Sequence, residues 1–332
     1  LPETFLSFLE ANGLDPSIYI PRYVRLKPGV GEIEYEINCK LEKVNWLPGF
    51  YSIPPDVQIA RSMAYQQGKM YGIDAASGAA VSALGISPGD HVLDLCAAPG
   101  AKLCMMLDLL GEKGTATGVD VARHRLAACR TMLRKYGLGQ RSRLFLADGT
   151  TFSVPPITFK EWTSRRPYKE RKQEAKAKPE IIFYGQSSGV IGLKKKELGY
   201  DKVLVDAECT HDGSIKHIQK FEQWGWTTLE RRVLDAERTD RNLTALQLNL
   251  LRNGFRLLKQ GGTLVYSTCS LTLAQNEDVV DQFLDENSSA ELQEIETAKD
   301  WPCTSGRTPK TVRFDPSTSA TSGLFVAKIR KL

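Results

Sequence analysis

A doubly wound, mostly parallel α/β sheet is the fold class this sequence predicts, and three observations predict it. From about residue 76, short β-rich runs alternate with helical stretches, the pattern of strands joined by crossover helices. Glycines close the helical stretches, as at Gly111 after Leu103–Leu110 and Gly137 after Arg123–Tyr136. The strand runs end in acids or cysteines rather than in ordinary turn residues. Composition allows such a fold: 332 residues with 42% apolar and 25% charged content suit a globular chain. No apolar run approaches the roughly 20 residues needed to span a bilayer, so no membrane partner is expected.

Taken in order, residues 1–75 read as a small α/β appendage. A short helix is expected over Phe5–Asn12, a strand over Tyr23–Leu26 and another over Lys43–Trp46, while Pro21, Pro28, Pro48, Pro54 and Pro55 interrupt anything longer. Residues 76–332 read as the main domain. Its strands are expected at His91–Leu95, Thr115–Val119, Ser142–Leu146, Lys202–Val205, Thr263–Tyr266 and Gly323–Ile329. Helices are expected at Leu103–Leu110, Arg123–Tyr136, Arg241–Leu258 and Glu277–Leu284. Residues 155–198 read as a partly ordered basic insertion, and Glu286–Ser319 as similarly loose. Right-handed crossovers put the loops after the strands on one rim, where ligands bind.

Charge and cysteine usage narrow the class. Net charge is +5 with a pI near 8.7, a mild excess. It is concentrated: Lys160–Lys178 holds eight Lys or Arg against three Glu, and Lys194, Lys195 and Lys196 follow. Such a cluster beside a site attracts phosphates; the plainer reading is a solvated surface loop. The seven cysteines are scattered and none forms a C-x-x-C pair, so neither a structural zinc site nor a secreted disulfide scaffold is expected. Reduced thiols in an intracellular compartment fit the count better.

The first strand–loop–helix unit reads Asp94-Leu95-Cys96-Ala97-Ala98-Pro99-Gly100-Ala101-Lys102. Small residues here let a ligand approach the backbone, but the loop is not G-x-G-x-x-G, so a dinucleotide is not expected. Asp120 ends the second strand, where an acid accepts hydrogen bonds from ribose hydroxyls, and Asp148 ends the third, where an acid meets an adenine amine. Each Asp alone reads as a cap or turn former. The ordered set suits a nucleoside without phosphates, such as S-adenosylmethionine. The fourth strand ends Asp206-Ala207-Glu208-Cys209-Thr210-His211 and the fifth Ser267-Thr268-Cys269-Ser270, which puts two thiols on the same rim. A buried structural Cys is the plainer reading for either, but a polar strand-end loop suits it poorly. A thiol there has a use: cytosine carbon 5 is a poor nucleophile until a thiolate adds to carbon 6. An acid such as Asp206 must then stabilise ring nitrogen 3, and the base must leave its stack.

The motifs D-L-C-A-A-P-G-x-K, D-A-x-C and S-T-C-S, in this order, resemble the Nol/Nop/Sun family of RNA cytosine-5 methyltransferases. The resemblance runs from about Tyr71 to the end and is loose before that. It implies a Rossmann-like methyltransferase sheet with a small RNA-binding appendage, S-adenosyl-L-methionine as cofactor and rRNA or tRNA as substrate. By motif, Cys269 matches the nucleophile, Cys209 the thiol that assists release and Asp206 the acid contacting base and cofactor. Cys96, Ala97, Ala98, Pro99, Gly100, Ala101, Lys102, Asp120, Arg125 and Asp148 match cofactor-contacting positions, and Lys102 is also expected to hold a thiolate or carboxylate. The family has Gly where Ala101 stands, and Asp-Ala-Pro-Cys-Ser-Gly where this chain has Asp206 to His211. Glu208 is therefore expected to raise the pKa of Cys209. His211 reads as an exposed loop histidine, the alternative being a compensating charge or proton shuttle. Two other readings are weighed. A catalytically weak RNA-binding factor with ribosomal or assembly-factor partners fits the altered loop but not the intact Cys269 motif. A DNA cytosine methyltransferase would need a Pro-Cys motif, which Glu208-Cys209 lacks.

Overall fold

The computed structural model describes residues 3–15, 17–156, 179–188, 199–214, 225, 227 and 242–332. Most of the basic insertion expected over 155–198, with Lys160–Lys178 and Lys194 to Lys196, lies outside the described residues.

The N-terminal portion carries α1 (Glu3–Ala11), β1 (Arg22–Leu26), α2 (Glu34–Ile37), β2 (Glu42–Lys43), β3 (Phe50–Ile53), α3 (Met63–Gln66) and β4 (Met70–Gly72). The four strands pair antiparallel in the order β2-β3-β1-β4. The strand expected at Lys43–Trp46 is only the two-residue β2; Trp46 leaves the ladder to pack against Trp301 and Phe314, with ring centroids 6.5 and 5.8 Å away. Next comes α4 (Ala75–Ala83), capped by Asp74, whose carboxylate accepts from the Ala76 N–H. Sequence periodicity does not reveal α4, because its residues are small and buried almost all round. A Cβ at Gly78 would meet the Phe50 ring at 2.2 Å, so this helix lies flat on the small sheet.

The larger sheet follows with β5 (His91–Asp94), α5 (Ala101–Leu110), β6 (Thr115–Asp120), α6 (Arg123–Lys135), β7 (Ser142–Leu146), β8 (Glu180–Tyr184) and β9 (Tyr200–Asp206). After β9 come α7 (Thr244–Leu257), β10 (Leu258–Thr268), α8 (Glu277–Glu286), β11 (Ala290–Gln293), β12 (Thr304–Ser305), β13 (Val312–Phe314), α9 (Pro316–Ser319) and β14 (Leu324–Lys331). Among the described residues the order is β12-β13-β14-β10-β9-β5-β6-β7-β8, with β11 on β14. The five strands from β10 to β7 are mutually parallel; β14 and β8 are antiparallel additions. Helices α4, α5 and α6 cover one face and α7 and α8 the other, so each face has its own apolar core. This is the doubly wound sheet the alternation predicts. Strand order reverses between β5 and β9, and in such sheets the crevice outside the strand carboxyl ends is where ligands bind.

The insertion, read as partly ordered, contains β8, which pairs with β7. One expectation needs correction. The segment Glu286–Ser319 is not loose: it supplies β11, β12, β13 and α9, and Trp301 and Phe314 are buried. Its elements are too short for periodicity to register, and its order comes from scattered anchors. Glu277, fully buried at the start of α8, is ion-paired with Arg313 and accepts from the Arg307 N–H. Arg313 also donates to the Leu271 carbonyl at 2.9 Å, tying the segment to the loop after β10.

The two sheets are joined by polar contacts in an apolar surround. Arg25 of β1 meets Asp108 of α5 at 2.6 Å, with side chains 7% and 3% exposed. The Tyr71 hydroxyl donates to the same carboxylate at 3.0 Å, and the Tyr23 hydroxyl to the Ala320 carbonyl at 3.0 Å.

Candidate active site

The loop after β5 turns sharply into α5 at Gly100, whose φ is +114°. A Cβ there would lie 2.8 Å from the Cys129 sulfur and 3.1 Å from its Cα. Only glycine meets both demands. Ala97 and Ala98 are buried against β6, where a Cβ at Gly118 would come within 2.9 Å of Ala97. The loop thus has a fixed backbone and no bulky side chain.

Asp120 ends β6 with its carboxylate buried. Its two oxygens accept from the Ala98 N–H at 3.2 Å and the Ala122 N–H at 2.8 Å, joining the two strand-end loops. Arg125 reaches back from α6 and donates to the Ala98 carbonyl at 2.6 Å. Each carboxylate oxygen of Asp120 keeps a further lone pair, so a ribose can be held without breaking this brace. Asp148 lies two residues beyond β7, exposed, its Oδ1 accepting from the Thr150 N–H and hydroxyl at 2.8 and 2.7 Å. It is a turn former here, whatever else it contacts. Small buried residues, a positive-φ glycine and acids in strand order match a nucleoside carrying a positive sulfonium; this donor set fits S-adenosylmethionine.

At the switch point, Asp206 ends β9. Lys102 pairs with its Oδ2 at 2.7 Å and the Ser267 hydroxyl donates to its Oδ1 at 2.7 Å. Lys102 therefore pairs directly with a carboxylate, and against the opposing effect of burial this acid raises the lysine pKa, with Asp94 and the Cys269 sulfur adding to it. Asp94, buried at the end of β5, accepts from the Cys96 N–H at 3.1 Å. Burial, then the nearby Asp206 charge, push it up to about 7. Burial and the same acids hold the Cys96 thiol well above its usual range, so Cys96 lines the loop as a neutral thiol.

Beyond Asp206 the two remaining thiols meet. The Cys209 and Cys269 sulfurs are 3.2 Å apart. Parallel pairing sets Ser267 opposite Asp206, so the following residues of both strands leave the sheet side by side. His211 completes the group, its Nδ1 3.0 Å from the Cys269 sulfur and 3.6 Å from that of Cys209. It is not the exposed loop histidine expected from sequence. Its φ of +59° turns the imidazole inward, over the thiols. Nor does Glu208 raise the pKa of Cys209: Glu208 points outward, while hydrogen bonds from Cys269 and then His211 bring Cys209 down to about 6. Cys269 is held well above its usual range by the Cys209 sulfur and by burial. The pair thus loses its first proton easily and its second with difficulty. His211 is raised by its thiol neighbours despite burial.

Residues without a motif lock the two loops. Gln247 of α7 donates to the Glu208 carbonyl at 2.8 Å and to Gln275 Oε1 at 3.2 Å. Gln275 accepts from the Thr210 N–H at 3.2 Å, and Asn276 donates to the Ser270 carbonyl at 2.8 Å. Asp212 accepts from the Leu271 N–H at 2.8 Å, and the Gly213 N–H donates to the Cys269 carbonyl at 3.0 Å. Sequence reasoning missed Asp94, Ser267, Gln247, Gln275 and Asn276; of these, Asp94 and Ser267 lie inside quoted motifs.

Comparison with known proteins agrees with this geometry. The family model described as 16S rRNA methyltransferase RsmB/F matches residues 81–158 and 188–330. The tRNA (cytosine(49)-C(5))-methyltransferase of Pyrococcus abyssi is 28% identical across 96% of this chain and 88% of its own length. The bovine 5-cytosine rRNA methyltransferase NSUN4 is 31% identical over 67% of this chain. This chain spans about half of NSUN4, 47%, and 48% of the Enterobacter ribosomal RNA small subunit methyltransferase B. The crystal structure of NSun6 from Pyrococcus horikoshii with SFG superposes with a TM-score of 0.71 over 99% of this chain and 98% of that one, at 17% identity, a likeness of fold.

Proposed function

Because the chain belongs to the 16S rRNA methyltransferase RsmB/F family, we propose that it methylates carbon 5 of a cytosine in RNA, with Cys269 as the covalent nucleophile. The observation that carries the reading is the 3.2 Å contact between two thiols beside the Lys102–Asp206 pair, on the rim where the strand order reverses.

The chemistry follows from what these groups can hold and pass. The Cys269 proton moves to Cys209 as the Cys269 sulfur adds to ring carbon 6, and the ring's electron pair shifts to carbon 5. The charge developing at nitrogen 3 is met by the proton shared in the Lys102–Asp206 pair. S-adenosylmethionine, when bound, supplies the electrophilic methyl group that carbon 5 attacks. Cys96 to Ala101 and Asp120 would hold that cofactor, and Asp206 bears on both base and cofactor. Cys209, returned to thiolate by proton loss to solvent, takes the carbon-5 proton. The carbon 6–sulfur bond then breaks and its electrons return to Cys269.

Two variants test this on RNA transcripts with labelled methyl donor. Cys269→Ala abolishes transfer. Cys209→Ala accumulates a covalent RNA–protein adduct on a denaturing gel, because His211, 3.0 Å from the Cys269 sulfur, still takes the proton for attack while no thiolate is left to take the carbon-5 proton for release. Robust labelling by Cys269→Ala, or an adduct trapped by Cys269→Ala instead, refutes the assignment. Bisulfite sequencing of RNA from cells with and without the protein identifies the target among ribosomal and transfer RNAs.

A further inference from the structure

We propose that Cys209, His211 and Cys269 form a three-donor binding site for a thiophilic divalent cation, of which zinc is the type, and that filling it withdraws the nucleophile from use. No C-x-x-C pair announces such a site. Its donors come from a Cys-x-His step in the loop after β9 and a single Cys in the loop after β10.

The geometry is close to what a tetrahedral ion demands. Zinc–sulfur bonds of about 2.3 Å and zinc–nitrogen bonds of about 2.0 Å, at tetrahedral angles, set sulfur–sulfur gaps near 3.8 Å and sulfur–nitrogen gaps near 3.5 Å. The Cys209 sulfur to His211 Nδ1 gap is 3.6 Å and needs no change. The sulfur–sulfur gap of 3.2 Å and the Cys269 sulfur to Nδ1 gap of 3.0 Å must each open by roughly half an ångström. Small rotations of the two thiols and the ring supply that, and all three donor atoms already lie within 4.8 Å of one another.

The donors are also held in place. His211 adopts φ +59°, a region that costs a side-chain-bearing residue energy and persists only where its surroundings enforce it. Here Asp212, Gly213 and Thr210, on either side of it, are hydrogen-bonded to Leu271, Cys269 and Gln275. The two loops therefore present their donors as one unit. Two thiolates and one imidazole select zinc over magnesium or calcium, and three protein ligands leave a fourth position for water. Binding leaves both sulfurs as thiolates donating to the ion, and a Cys269 sulfur that shares its charge with a metal is a weaker and more hindered nucleophile toward ring carbon 6. Metal binding stands whether or not the chain methylates RNA; withdrawal of the nucleophile rests on that proposed function.

Cobalt(II) is the probe, titrated anaerobically into the full chain with its thiols reduced. The expected result is one equivalent bound, with the visible absorption of tetrahedral cobalt and an ultraviolet thiolate-to-cobalt charge-transfer band, both bleached by zinc. His211→Gly suits the positive φ and keeps the loop folded; it weakens binding by about a hundredfold or more. Cys209→Ala and Cys269→Ala each remove the charge-transfer band or halve it while circular dichroism remains native. Absence of a charge-transfer band in the wild type overturns the site. So does an affinity in His211→Gly within tenfold of wild type, which marks a two-thiol or adventitious site.

Discussion

Replacing Arg25 by Met should cost the protein about 3–5 kcal/mol, because it strands a carboxylate in the joint between the two sheets. The Arg25 and Asp108 side chains are only 7% and 3% exposed, and their 2.6 Å contact is the main compensation for burying either charge. Burial already raises the Asp108 pKa, and Arg25 is the largest influence opposing it. Without Arg25 the carboxyl rises further and takes up a proton more readily, so the loss should shrink as pH falls. At about 2 °C per kcal/mol for a chain of this size, the melting midpoint drops by roughly 6–10 °C near pH 8. Arg25→Met with Asp108→Asn keeps an acceptor for the Tyr71 hydroxyl and removes the charge. It should recover to within about 1–2 kcal/mol of wild type, since a buried ion pair is weak evidence of net stabilisation. Arg25 Nε, buried with no hydrogen-bond partner, points the same way. Calorimetry and urea titration of Arg25→Met, Asp108→Asn and the double variant at two pH values close the cycle. A single-variant loss below about 1 kcal/mol, or one independent of pH, refutes the reasoning.

Two further predictions concern the rim. Gly100→Ala forces a methyl against Cys129 at 2.8 Å in a left-handed conformation; cofactor affinity measured by calorimetry should fall at least tenfold, while the melting midpoint falls by only a few degrees. Asp94, raised from 3.8 to about 7, binds its proton more tightly folded than unfolded. Its contribution is therefore fully present below pH 3.8 and lost as pH rises through about 7. Asp94→Asn should be more stable relative to wild type at pH 8 than at pH 5 in the cofactor-free protein, and equal differences at the two pH values would count against the shift.

The strands that build the rim were legible because a parallel strand covered on both faces reads as a continuous apolar run. Val203, Leu204 and Val205 do so, and all three are buried. Helix α4 was not legible, since Ala and Gly on every side carry no period. The segment 286–319 misled for the opposite reason: its order depends on Trp301, Phe314 and the Glu277–Arg313 pair, which are distant in sequence from what they hold. At the site, the meeting of Cys209 with Cys269 followed from motif order on neighbouring strands. His211 did not, because no pattern of residue types shows a positive φ turning a ring inward. Gln247 and Gln275 escaped notice because a neutral amide that braces a loop looks like any surface amide.

Those amides have a consequence for how the protein responds to its solution. The bonds that hold the thiol loops run mostly between neutral carboxamides, hydroxyls and backbone groups, with buried Asp212 and the ion-paired Arg313 as charged exceptions. Added salt screens exposed charges more than about 8 Å apart at physiological strength and leaves such bonds alone. Attraction between lysines and an RNA backbone is the part that salt weakens. Ionic strength thus acts on how often an RNA arrives and not on how the reacting sulfurs are set once it has. Rising salt should appear in KM with kcat unmoved, the behaviour of a rigid chemical centre served by an electrostatic approach.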